Sequence, residues 1–216
     1  MKLDPRIASL YPGFVAGGAV VTGLTVETSV EGLEERKRQV LQAWSSREER
    51  LGELSPYSEF LRRMGSEETS FPLRRWAEGA VRGELPTGNN VLDSCVLASL
   101  EHVVPVGAHD LLKVRGEVEV TLHSGEGLLT LRDGSRVTPR EGEIVLRDAE
   151  KLLASYARGE GAGTRIGFET SGVLFVAWNA PGVPRERVEG ALRAVSTYAR
   201  RYCGGHVERI EVLDQT

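Results

Sequence analysis

Apolar positions change period several times along this 216-residue chain, and each change marks an element. Phe14 to Val26 reads FVAGGAVVTGLTV, a β-rich run loosened by glycine that follows the turn signal Tyr11-Pro12-Gly13. From Gly32 to Arg50 the chain is charged, with Leu33, Val40, Leu41 and Trp44 at helical spacing, which predicts a helix with one apolar stripe. Ser55-Pro56 starts a second, short helix that carries Phe60 and Leu61 and ends near Gly65, since proline is tolerated in a first turn. A third helix is predicted over Ser70 to Gly83, with Ser70 as N-cap and Pro72 in the first turn.

Further along, Glu84 to Asn90 reads as a loop, Val91 to Leu100 as a short apolar helix, and Pro105 to Asp110 as a second loop. Short strands are predicted at Glu117–Leu122, Leu128–Leu131 and Glu143–Leu146, with Asp133-Gly134 as a hairpin turn between two of them. Gly159 to Gly163 reads as a flexible loop and Val173 to Trp178 as a buried strand. Pro184 to Tyr202 is a long amphipathic helix closed by Gly204-Gly205, and His206 to Leu213 alternates as an outer strand does. Helices grouped between strand clusters predict an α+β fold. The expectation is a single compact domain over residues 1–216, a mixed, short-stranded sheet with flanking helices.

Composition changes this picture little. An apolar fraction of 40% and a charged fraction of 27% suit a globular core that needs no staples. A net charge of −4 argues against a general nucleic-acid coat and leaves room for a local basic patch. Lysine occurs only at positions 2, 37, 113 and 151, so the positive charge is nearly all arginine, whose fork suits phosphate. Cys95 and Cys203 lie far apart in apolar surroundings and read as buried small hydrophobes. Histidines 102, 109, 123 and 206 show no paired metal spacing, so no metal and no cofactor is expected. The chain opens on no secretion signal, and its apolar runs fall short of the ~20 residues of a membrane span. No membrane association and a cytoplasmic location are therefore expected. GEGAG at Gly159 to Gly163 lacks GxGxxG spacing, and no phosphate loop, GxSxG elbow or HExxH helix is present.

What remains is a pair of polar loops around an apolar helix. The first offers Asn89, Asn90 and Asp93; the second offers Gly107, His109 and Asp110. Two readings stand side by side. Asp93 serves as an N-terminal helix charge and the others as turn residues, or the loops form a site in which Gly107 lets a ligand approach the backbone.

Leu85 to Val120, LPTGNNVLDSCVLASLEHVVPVGAHDLLKVRGEVEV, resembles the signature of B3/B4-type editing domains, as in the phenylalanyl-tRNA synthetase beta subunit. Asn89, Asp93, Ser99, Pro105, Gly107, Ala108 and Asp110 match it. The next block, Ser124 to Asp148, carries the Gly125-Glu126 pair, the Asp133-Gly134 hairpin and the Gly142-Glu143 element. Glu169 to Gly182 resembles a later sheet strand, so the matched core runs over residues 72–182. The resemblance implies a trans-acting deacylase that hydrolyses the ester of mischarged aminoacyl-tRNA. Asn89, Asp93, Gly107, His109, Asp110, Gly125 and Glu126 would line or support its pocket, and the identity of any catalytic residue stays open. Arg74, Arg75 and Arg82 would meet tRNA phosphates, or else form a solvated helix face. Gly107 stands where the family usually has histidine, Val96 where relatives often have asparagine, and Val176 where a glutamate recognises a tyrosine hydroxyl. No aminoacylation motif is visible, so tRNA charging is not expected. The alternatives are a non-catalytic RNA- or amino-acid-binding module, and a docking subunit of an aminoacyl-tRNA synthetase.

Overall fold

The structure, a computed structural model, describes residues 1–66 and 71–213. From the N-terminus, β1 (Lys2–Leu3) and α1 (Pro5–Leu10) precede β2 (Ala16–Thr22). Four helices follow: α2 (Glu31–Trp44), α3 (Ser55–Arg63), α4 (Pro72–Val81) and α5 (Asn90–His102). Next come β3 (Val106–Asp110), β4 (Glu119–Leu122), β5 (Leu129–Thr130), β6 (Arg136–Val137), β7 (Ile144–Arg147), β8 (Leu152–Ser155) and β9 (Gly159–Glu160). The chain closes with β10 (Gly172–Trp178), α6 (Arg185–Cys203) and β11 (His206–Leu213).

Two sheets carry the α+β fold. One is antiparallel, in the order β11-β2-β10-β3; the other runs β1-β4-β7-β8-β9, with β1 and β4 parallel. The early glycine-rich strand and the last strand pair, β2 against β11. Gly17 permits their close packing, because a Cβ there would come within 2.6 Å of the Glu211 carbonyl oxygen and 2.8 Å of Leu192. α6 packs on β2, β10 and α5, which explains its amphipathic period. β10 is buried along its whole length. Beside it, Tyr156 meets Trp178 at a ring separation of 5.5 Å and Phe71 at 5.7 Å.

α5 has no polar stripe; Asn90 to Leu100 is buried except for Leu92. Its N-terminus is fixed by Asn89, whose side chain accepts from the Leu92 N–H at 3.0 Å. Asn90 is fully buried and uses its whole amide: Oδ1 accepts from Glu27 N–H and Val91 N–H, and Nδ2 donates to the Thr25 and Tyr202 carbonyls. Ser99 donates to the Cys95 carbonyl and accepts from the Val106 N–H, tying the helix to β3.

The structure alters several sequence expectations. Pro105 to Asp110 is not a loop: Val106–Asp110 is an edge strand paired with β10, and its backbone partners outweigh its turn-like composition. Gly159 to Gly163 contains β9 and the start of a 3-10 turn over Ala162–Thr164. Asp133-Gly134 joins β5 to β6, a two-residue strand too short to leave a periodic signal. Ser70, expected as an N-cap, lies outside the described residues.

Candidate functional site

The period of two along β3 divides the expected second loop between two faces. Gly107 and His109 look into a narrow apolar chamber of about 20 Å³ with Phe71, Tyr156, Val176 and Trp178. Ala108 lines a second cavity of about 140 Å³, with Thr87, Gly88, Asp93, Val96 and Arg132. This opens beside a wide cleft of about 490 Å³ with Arg75, Arg132, Asp133 and Arg158 at its walls. Trp76 and Glu160 line all three spaces, so together these form one graded site, apolar inside and arginine-bearing at the mouth.

Glu160 stands where the side chain of residue 107 would be. A Cβ on Gly107 would run into the Glu160 carboxylate, so glycine at 107 is what admits Glu160 to the site. Among the described residues, that carboxylate has no hydrogen-bond or ion-pair partner. Arg132 donates to the Ala108 carbonyl at 3.0 Å, while its Nε is buried without a partner. Both charges reach the Cys95 thiol, Glu160 raising and Arg132 lowering its pKa; burial dominates and pushes it well up, so Cys95 is a neutral thiol.

The other expected site residues divide into those that line this site and those that hold it. Asp93 lines the 140 Å³ cavity and fixes its loop, accepting from Gly88 N–H at 3.1 Å and pairing with Lys37 at 2.5 Å. Burial raises the Asp93 carboxyl above its ordinary range despite Lys37. His109 is fully buried, and its Nδ1 lies 2.7 Å from the Thr164 hydroxyl. Burial, helped by the Arg132 charge, pulls its pKa down to about 3, so the ring is neutral near neutral pH. Val176 pairs with Gly107 across the sheet and lines the inner chamber.

Asp110 lines none of these spaces. Its carboxylate accepts from Leu112 N–H and the Thr170 hydroxyl and pairs with Lys113. Burial raises its pKa, but those partners prevail and hold it low, which makes Asp110 a clip for the turn after β3. Gly125 and Glu126 follow β4 in the five-stranded sheet. Glu126 lines a separate cleft of about 550 Å³ that shares no residue with the Trp76–Glu160 site, and Gly125 donates its N–H to His123 Nδ1. The single pocket expected from the sequence is thus two regions. The larger cleft sets Arg6, Arg147 and Lys151 against Glu119, Glu126 and Glu150, with no net charge.

Of the three arginines, Arg75 is exposed and lines the wide cleft. Arg74 donates to Glu78 and Ser58, and Arg82 lies 3.7 Å from Glu84, away from the site. Sequence reasoning missed Trp76, Arg132 and Glu160. The first directly follows Arg74-Arg75, and the last sits in the glycine-rich GEGAG stretch read as a loop. No local pattern joins the three.

Fold and site together define an α+β domain with one graded cleft between an edge strand and α4. The B3/4 domain model matches residues 60–204, and the chain belongs to that family. Phenylalanine–tRNA ligase beta subunits are among its relatives. That of Legionella pneumophila strain Lens is 32% identical over 98 residues, 45% of this chain and 12% of that protein. The Shewanella oneidensis subunit is 37% identical over 75 residues, 34% of this chain and 9% of that one. The chain therefore matches about a tenth of these relatives' length. An N-terminal fragment of the phenylalanyl-tRNA synthetase beta subunit from Pyrococcus horikoshii shares the fold, with a TM-score of 0.52 at 13% identity, covering 99% of this chain and 53% of the fragment. Among the described residues, no helix is long and apolar enough to cross a membrane, and no cluster of potential metal ligands occurs.

Proposed function

We propose that this protein hydrolyses the ester of mischarged aminoacyl-tRNA at the Trp76–Glu160 cleft, acting in trans. The observation that carries this reading is the grading of the site. Apolar space lies deepest, charged groups hold the middle, and Arg75 and Arg158 stand at the mouth, where a nucleic-acid end would bring phosphates. Membership of a family shared with synthetase beta subunits supports the same substrate class.

In the reaction, a water oxygen bonds to the acyl carbon, the acyl–ribose oxygen bond breaks, and a proton ends on the released ribose hydroxyl. The residues lining the cleft do not form a nucleophile–base pair. Cys95 is held as a thiol, and His109 is a weak base with its Nδ1 engaged by Thr164. Catalysis then rests on placing ester and water together, an effect of up to roughly 7–11 kcal/mol. Arg132 is the group positioned to stabilise the developing oxyanion; such a donor contributes about 3 kcal/mol.

The test is a release assay over a panel of misacylated tRNAs. Acceleration of release from at least one of them is expected. Salt-sensitive tRNA binding without release from any would sink the enzyme reading and leave a binding module.

A further inference from the structure

Glu160 and Arg132 raise a question that hydrolysis alone does not answer. A carboxylate without partners and a guanidinium with one buried, unpaired nitrogen face the same two cavities. Among the described residues they form no ion pair with each other or with any other group. Both side chains are half-buried, and the carboxylate and the unpaired guanidinium nitrogen are left able to take a ligand. Held apart, they match a ligand that offers a cationic group to the carboxylate and a neutral acceptor oxygen to the guanidinium.

We infer that the site recognises the free α-ammonium of an aminoacyl group through Glu160 and Trp76, with Arg132 on the acyl carbonyl. This rests on the proposed reading of the cleft as an aminoacyl-ester site. Three observations support it. First, the Glu160 carboxylate occupies the space above Gly107 and lines the inner chamber as well as the wider cleft. Second, Trp76 lines the same three spaces as Glu160, and an aromatic ring together with a carboxylate in one cleft suits an ammonium ion. Third, the adjoining cavity of about 140 Å³ gives the amino-acid side chain a place. That is close to the ~150 Å³ known to admit a benzene-sized guest. The consequence is a substrate class: esters with a free α-amine are accepted, while N-acylated ones, including peptidyl esters, are refused. A neutral amide nitrogen offers Glu160 no charge and brings bulk against Trp76.

The test uses two arms. In the first, calorimetry measures binding of the methyl esters of L-alanine, L-leucine, L-phenylalanine and L-tyrosine, each beside its N-acetyl counterpart. The pH is about 6.5, below the ordinary α-amino range of about 7.7–8.0. At least one free ester is expected to bind at least tenfold more tightly than its acetylated partner. Glu160→Gln is expected to erase that preference while leaving the acetylated ester's affinity within twofold. Equal binding within every pair, binding of no ester, or an unaltered preference in Glu160→Gln would each overturn the inference. The second arm compares single-turnover release from aminoacyl-tRNA and from the same tRNA after N-acetylation. A loss in Glu160→Gln that is equal on both substrates would make Glu160 a general base and also overturn the assignment. If no tRNA is deacylated, the hydrolase reading falls, while the ester-binding arm still decides the ammonium site.

Discussion

Gly107 and Glu160 show how one missing side chain sets the character of the site. The glycine on β3 leaves room that the Glu160 carboxylate fills from β9. Gly107→Ala is expected to push this flexible side chain aside, since Glu160 supplies the three atoms nearest to the added Cβ. The urea midpoint should hold or rise, as glycine weakens a strand by roughly 0.5–1 kcal/mol relative to alanine. Preference for a free over an N-acetylated amino-acid ester should fall at least fivefold. A lower midpoint with an unchanged preference would show that the space matters for packing alone. His109 makes a second case. Its folded pKa of about 3 lies below the ordinary 6.5, so the unfolded chain binds more protons throughout that interval. Stability is thus lost on acidification from about pH 6.5 toward 3. The loss attributable to His109 by pH 5 is about 2 kcal/mol. His109→Asn, which keeps a polar atom for Thr164, is expected to flatten the fall in stability between pH 7 and pH 5. An unchanged pH slope, measured by urea unfolding at both values, would refute a buried neutral imidazole.

At the scale of elements, the matched sequence signature turns out to be largely a set of clips. Ser99 joins α5 to β3, Asp110 fixes the turn after β3, and Glu143 accepts from the Ser155 hydroxyl and the Arg140 N–H. Asp148 accepts from the N–H groups of Arg115, Glu150 and Lys151. Asn90 joins the segment after β2, the start of α5 and the end of α6 through its buried amide. Asn90→Ala leaves the Glu27 N–H and the Thr25 and Tyr202 carbonyls without that partner. At about 1–3 kcal/mol for each unsatisfied buried group, a loss of about 3 kcal/mol or more is expected. A loss below about 1 kcal/mol in urea unfolding would show that water replaces the amide. The long elements were legible because their periods are strong: α3, α6, β10 and β11 appear close to where the apolar spacing places them, while the helix expected over Gly32 to Arg50 ends at Trp44 and gives way to a 3-10 helix at Glu48–Leu54. β3 was not legible, because a run with proline, glycine and a polar end reads as a turn until its partner β10 is known. β1, β6 and β9 have two residues each, too few for alternation to show.

For the whole molecule, the residues singled out in the sequence fall in different places. Asp93, Gly107, His109, Val176 and Arg75 line the candidate cleft, Glu126 lines another cleft and Asp110 lines none. Trp76, Arg132 and Glu160 come from three distant segments, and only the folded arrangement unites them. Charge follows the same division: the chain is acidic overall, yet arginines gather at the mouth of this cleft. Arg75→Glu is expected to weaken tRNA binding and to make its salt dependence shallower, by about 0.7–0.9 in log–log slope for each phosphate that is no longer neutralised. Arg82→Ala, away from the site and beside Glu84, should leave both within error. Equal effects of the two substitutions would move the tRNA surface elsewhere.

The central claim, ester hydrolysis at this cleft, is tested most directly by single-turnover release from a misacylated tRNA, with tRNA affinity measured in parallel. The comparison is between wild-type protein and Arg132→Met, which keeps much of the arginine stem but removes its donors from the cleft wall. The expected result is faster release with wild-type protein than without protein, and a loss of about 10²-fold in the variant with affinity held within threefold. If wild-type protein binds the tRNA but protects its ester from spontaneous hydrolysis, the cleft is a binding site and the account is wrong.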